Sequence, residues 1–223
     1  MSLADVLVLA DSAFPSGTFG HSFGLETAIV EGRANDADGI RAWIERYTRD
    51  GLATLDASAF VLALRDGVAI ETLDELVAAA IVAEEIRAAN RQLAQATLTS
   101  YEMMGLESTR LRAYDAAVQS GEQAGIHALA VALGYDAAAI PWPDALRAYV
   151  SSAVAALVSV GTRAIPLGQR RAIRLLWDLR PLVEDVARKA ESCRSVDDLR
   201  AQAFECEIDA MRHAALEGRM FVS

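Results

Sequence analysis

Residues 40–49 read Ile40-Arg41-Ala42-Trp43-Ile44-Glu45-Arg46-Tyr47-Thr48-Arg49. Ile40, Trp43, Ile44 and Tyr47 fall at i, i+3, i+4 and i+7, while Arg41, Glu45, Arg46 and Arg49 take the other side. An apolar stripe of that period is one face of an amphipathic helix. The same spacing recurs in nearly every segment to either side, and alternating strand patterns are hard to find. The expected fold is all-α, a bundle of roughly eight to ten helices. No repeat, low-complexity tract or Pro/Gly/Ser-rich linker divides the chain, so residues 1–223 are expected to form a single domain with a short tail at 219–223.

Further along, Asp74 to about Met104 carries Leu76, Ile81, Val82, Ile86, Leu93 and Leu98 among many alanines, with no proline or glycine before Gly105. One long helix, or two end to end, is expected there. Leu146, Tyr149, Val150, Ala153, Val154 and Leu157 form a stripe opposed by Ser and Ala rather than by charge, which predicts a central helix. The charge-free run between Arg147 and Arg163 falls short of the roughly 20 apolar residues a bilayer span needs. Pro166 breaks the pattern; a new helix starts near Gly168 with Ile173, Leu176 and Trp177 inward and Arg170, Arg171, Arg174 and Asp178 outward. Pro181 kinks or restarts it. A last helix is announced by Ser195 as N-cap with Asp197 and Asp198 in its first turn; it runs through Leu199, Phe204, Ile208 and Met211 towards Gly218.

Composition excludes several function classes. Lys plus Arg number 21 against 31 Asp plus Glu, a net charge of -10, which repels a phosphate backbone and argues against nucleic acid as a partner. Lys189 is the only lysine, which leaves no P-loop lysine and no ready Schiff base. Two cysteines, Cys193 and Cys206, make no disulfide framework, and no leader-like start is present; the expected compartment is a reducing cytoplasm, with no membrane partner.

The most unusual stretch is Phe14-Pro15-Ser16-Gly17-Thr18-Phe19-Gly20-His21-Ser22-Phe23-Gly24-Leu25-Glu26, with three glycines and three phenylalanines. It has neither GxGxxG nor GxxxxGK[ST], and no strand precedes it, so a phosphate cradle is not indicated. It reads either as a tight loop whose glycines let rings pack on backbone or as an apolar partner surface. His21, His127 and His213 are scattered; no Cys-x-x-Cys or His-x-x-x-His pair suggests a stable metal site. Cys206, Asp209 and His213, at i, i+3 and i+7, are the one suggestive set and, with His21, the weak metal candidates; the bland reading is chance on a solvated helix face. His127 is expected to be a hydrogen-bonded core histidine. Gly-x-Ser-x-Gly is absent, so no catalytic residue is assigned. Arg163, Arg170, Arg171, Arg174 and Arg180 fall within eighteen residues holding one acid, Asp178: either a solvated face or a dock for an acidic surface.

The segment from Phe14 to Glu26, the Ile165-Pro166-Leu167-Gly168-Gln169 motif after Arg163, and the His213…Arg219-Met220-Phe221-Val222-Ser223 ending together resemble the urease accessory protein UreF family, in family order. The chain departs from that pattern at Arg170, Arg171 and Ala172 and ends Met-Phe-Val-Ser where the family often has Leu-Phe-Arg-Ser. The resemblance implies a non-enzymatic, all-helical protein that forms a homodimer. It implies binding to UreD, called UreH in some organisms, and recruitment of the nickel-carrying GTPase UreG to apo-urease. Nickel and GTP would then be handled by partners, with no tightly bound cofactor here. Carried onto this chain, the partner-binding residues are Phe14, Pro15, Gly17, Phe19, Gly24 and Glu26; Arg163, Pro166, Gly168, Gln169, Arg170 and Arg174; and Arg219, Met220 and Phe221. Met220 and Phe221 are poor residues to leave in water, and the resemblance favours a tail held for UreD over one folded on its own domain. The class opposed to this is an unrecognised helical enzyme or small-ligand-binding module.

Overall fold

The computed structural model describes residues 3–65 and 68–222. The chain runs through α1 (Leu3–Leu9), α2 (Leu25–Val30), α3 (Ala37–Tyr47), α4 (Asp56–Leu64), α5 (Ile70–Ala80), α6 (Glu84–Met103), α7 (Thr109–Ser120), α8 (His127–Ala137), α9 (Trp142–Ala164), α10 (Gln169–Asp178), α11 (Arg180–Glu191) and α12 (Phe204–His213). This is a finer division than expected. The described residues contain no strand; an isolated bridge among them pairs His21 with Val222 in parallel.

Two short helices form the centre because they have almost nothing polar to keep in water. Every residue from Ala57 to Ala63 in α4 is buried, as is every residue from Ala128 to Tyr135 in α8. Their alanines let the two axes come close, and at Gly134 a Cβ would fall inside the Tyr101 ring of α6. The 23-residue α9 is long and apolar enough, by length and composition, to cross a membrane, but it packs against α2, α3, α4, α8, α10 and α11. Phe60 of α4 stacks on Tyr149 of α9 at 5.2 Å. A single apolar cluster runs from Leu9 to Phe221.

The amphipathic helix at 40–47 is α3, with Ile40, Trp43 and Ile44 buried and the Asp36 carboxylate accepting from Gly39 N at 2.8 Å as N-cap. The 74–104 stretch is two helices, divided at Ile81-Val82-Ala83 without any breaker residue. Ile81 and Ala83 are extended and buried, and Arg87 Nη1 donates to the carbonyls of Ile81 and Val82 at 2.7 and 2.8 Å, replacing the helical bonds the break gives up. Gly168 and Pro181 start α10 and α11 as expected.

Three expectations are corrected, two of them on which face turns inward and one on where a helix begins. In α10 it is Leu175 that faces the core, while Ile173 and Trp177 are 65% and 61% exposed; Trp177 instead lies under the Arg180 guanidinium, 3.2 Å from its ring centroid. Ser195 does form a capping box with Asp198, but the helix it caps is a single 3-10 turn, Val196–Asp198; α12 begins at Phe204 and ends at His213, before Gly218. That late helix turns its polar face inward: Cys206, Asp209 and His213 are buried, whereas Phe204, Ile208 and Met211 are exposed. The face read as solvated is therefore core.

Candidate functional site

The inverted face of α12 is what organises the site. Asp209 is 2% exposed and receives Trp43 Nε1 at 3.0 Å and Arg33 through both terminal nitrogens, Nη1 at 3.1 Å. Thr27 Oγ1 donates to the Asp209 carbonyl at 2.8 Å. These bonds pin α12 to α2 and α3, and a buried carboxylate so paired keeps its charge without the penalty of isolation. Gly24 completes the contact: a Cβ there would stand 2.7 Å from Ala210 N and 2.8 Å from Cys206 O, and its φ of +94° is in the left-handed region. The glycine in the 14–26 loop is there to admit α12.

One turn on, His213 is fully buried between two carboxylates, Nε2 2.9 Å from Glu26 Oε2 and Nδ1 2.8 Å from Glu85 Oε2. Glu26, itself 4% exposed, also accepts from the backbone N–H of Met220 at 2.7 Å and of Phe221 at 3.2 Å. Glu85 accepts from Arg219 Nη1 at 2.9 Å. Beyond them Ser22 N donates to Val222 O at 2.7 Å and Val222 N donates to Gly20 O at 2.9 Å. The last residues thus form a strap across the glycine-rich loop. Phe221 is 7% exposed, with Arg163 over its ring at 4.5 Å; the same guanidinium donates to the Phe19 carbonyl. Met220 is 63% exposed.

So the tail folds back on its own bundle, contrary to the expectation of a tail left waiting, because Phe221 finds an apolar seat and its backbone finds carboxylate and loop partners. Met220 alone remains outward. Arg163 likewise leaves the basic patch assigned to it and belongs to the strap. Of the sequence-selected residues, Phe19, Gly24, Glu26, Arg163, Arg219, Met220 and Phe221 meet at one junction. Pro166, Gly168, Gln169, Arg170 and Arg174 lie elsewhere, exposed on α10 or its approach, where α10 packs on α9, α11 and α3. Phe14, Pro15 and Gly17 sit at the far end of the loop, with Phe14 tilted against Tyr101 at 5.4 Å, Pro15 exposed, and Gly17 near Leu93.

Behind the loop lies a cavity of about 120 Å³, walled by Phe14, Phe23, Tyr47, Tyr101 and Tyr149. His127 faces it, and its Nε2 has no hydrogen-bond partner, correcting the expected satisfied core histidine; Thr97 Oγ1 and His21 Nδ1 are also unpartnered. Burial, with His21 nearby, lowers the His127 pKa to about 4. At the other end Asp56 is raised to about 7, by burial first and then by Glu207. Cys206 opens on the same space, and its thiol is pushed up to about 12 by burial and Asp209. Among the described residues no group of three or more His, Cys, Asp or Glu is placed to hold a metal ion; Asp209 and His213 are already committed to Arg33 and to two glutamates. Glu85 and Arg33, both essential to the junction, were not singled out in the sequence, since each is an ordinary helix or loop charge until the fold brings it to α12.

The fold and site define an all-α bundle with a strapped tail and an exposed basic helix, and the comparisons with known proteins give its family. The UreF family model matches residues 34–180. A urease accessory protein UreF of Arthrobacter sp. (strain FB24) is 34% identical over 96% of this chain and 94% of its own length. Those of Lachnoclostridium phytofermentans and Bacillus sp. (strain TB-90) are 33% and 31% identical, over 98% and 99% of this chain and 97% and 99% of theirs. The chain belongs to the UreF family, whose members are accessory proteins of urease maturation rather than catalysts.

Proposed function

We propose that this protein is a non-catalytic scaffold of urease nickel insertion in the cytoplasm, which docks a UreD/UreH partner at the strap junction and helps recruit the GTPase UreG, so that nickel reaches apo-urease. It works as a homodimer and holds no cofactor of its own, with nickel and GTP carried by the partners. The observation that carries the reading is the strap: Arg219 and Phe221 are fixed by Glu85, Glu26 and Arg163, and Met220 between them is presented outward. An apolar side chain held rigidly at the surface is the form of a docking anchor. The second surface is α10 with the first residue of α11, where Arg170, Arg171, Arg174 and Arg180 surround exposed Ile173 and Trp177; on an acidic protein this suits a partner's acidic face.

Co-expression with a UreD partner tests the reading. Met220→Glu is expected to abolish co-purification while leaving the melting temperature within about 1–2 °C of the parent, since an exposed substitution changes stability little. Retention of the partner by a folded Met220→Glu chain contradicts the docking site.

A further inference from the structure

A neutral imidazole has one N–H and one lone pair, so it donates to one neighbour only. His213 has a carboxylate against each ring nitrogen, at 2.8 and 2.9 Å, with its side chain wholly out of solvent. With Glu26 and Glu85 both ionised, only the imidazolium satisfies both contacts; losing the proton sets a lone pair against a carboxylate at one of them. The same two carboxylates hold the strap, Glu26 through the Met220 and Phe221 N–H groups and Glu85 through Arg219.

We propose that protonated His213 is the bolt of the C-terminal strap, so that the strap is fastened when His213 carries its proton and loosens when it gives it up. The charged groups facing the imidazole are Glu26 from α2, Glu85 from α6 and Arg219 from the strap. On α12 itself, Asp209 is taken by Arg33, and Arg212 pairs with Glu31 at 3.5 Å. From α3 the Trp43 indole, which does not titrate, donates to Asp209, and Arg46 pairs with Glu205 of α12; Glu207, the remaining acid of α12, is raised by burial. His21, bridged to Val222, is held towards its neutral form by burial. His213 is therefore the group at this junction whose two carboxylate contacts both depend on its proton. The device regulates the proposed docking surface and rests on that reading for its purpose only; the strap's motion is measured with no partner present.

The test places 4-fluorophenylalanine at Phe221, whose ring lies against Arg163, in the full chain, and follows its 19F resonance from pH about 6 to about 9. In the parent the ratio of released to docked signal is expected to rise with pH, by up to about tenfold per unit, the limit for one linked proton. Glu85→Gln supplies an amide N–H to Nδ1, so a neutral His213 can donate to Glu26 and accept from Gln. In that variant the strap is expected to stay docked at every pH, with circular dichroism verifying its helices. A parent resonance that does not change with pH, a Glu85→Gln chain that titrates like the parent, or one whose strap is released throughout would each overturn the proposal.

Discussion

Gly24 is the residue on which loop and helix depend jointly. A side chain there must push into the α12 backbone at 2.7 Å and adopt φ +94° at once. Gly24→Ala is expected to cost roughly 2–4 kcal/mol, the range of combined overpacking and left-handed strain, seen as a lower midpoint in urea unfolding. Asp56 and His127 give the cavity an opposed pH signature. Asp56 is raised from 3.8 to about 7, so the native state binds the extra proton and stability falls as pH climbs across that window. His127 is lowered from 6.5 to about 4, so the unfolded state binds the extra proton and stability rises between those values. The two offset each other below pH 6.5, and Asp56 alone continues to destabilise towards 7. Asp56→Asn is therefore expected to melt higher than the parent by a margin that widens from pH about 5 to about 8, read by differential scanning calorimetry. A constant margin contradicts the assignment.

At the scale of elements, the strap and α10 call for different tests. Removing residues 219–223 takes away the Phe221 seat, two N–H donors to Glu26 and the Arg219–Glu85 pair. The truncated chain is expected to melt several degrees lower, by roughly 4–8 °C for about 1–2 kcal/mol lost, in contrast to the small change a free tail would give. Arg170→Glu with Arg174→Glu breaks one exposed i,i+4 pair with Asp178 and little else. Its melting temperature is expected to stay within about 2 °C, while the partner complex weakens most at low salt. The helical period made α3, α9, α10 and α11 readable, because each buries one broad stripe or begins at Gly or Pro. The division at Ile81–Ala83 was not readable, since Arg87 capping two carbonyls has no local signature. The inversion of α12 was hidden for a related reason. Its buried face is Cys206, Asp209, Ala210 and His213, and the partners of the two polar members, Arg33 for Asp209 and Glu26 and Glu85 for His213, lie more than a hundred residues away in sequence. The loop and tail residues were legible as a group only through the family resemblance, and their meeting at Glu26 only in the fold.

For the whole molecule, one acidic bundle carries two outward features that its own core does not need: Met220 on the strap, and α10 with its arginines, Ile173 and Trp177. Both are outward surfaces suited to contact with other proteins, as fits an accessory protein of urease maturation. The most direct measurement is the nickel content and activity of apo-urease matured in cells that supply the other accessory proteins together with this chain. Nickel-loaded, active urease is expected with the parent chain, and nickel-poor, inactive urease with the folded Met220→Glu variant. Full nickel loading with that variant, or with the chain omitted, would contradict this.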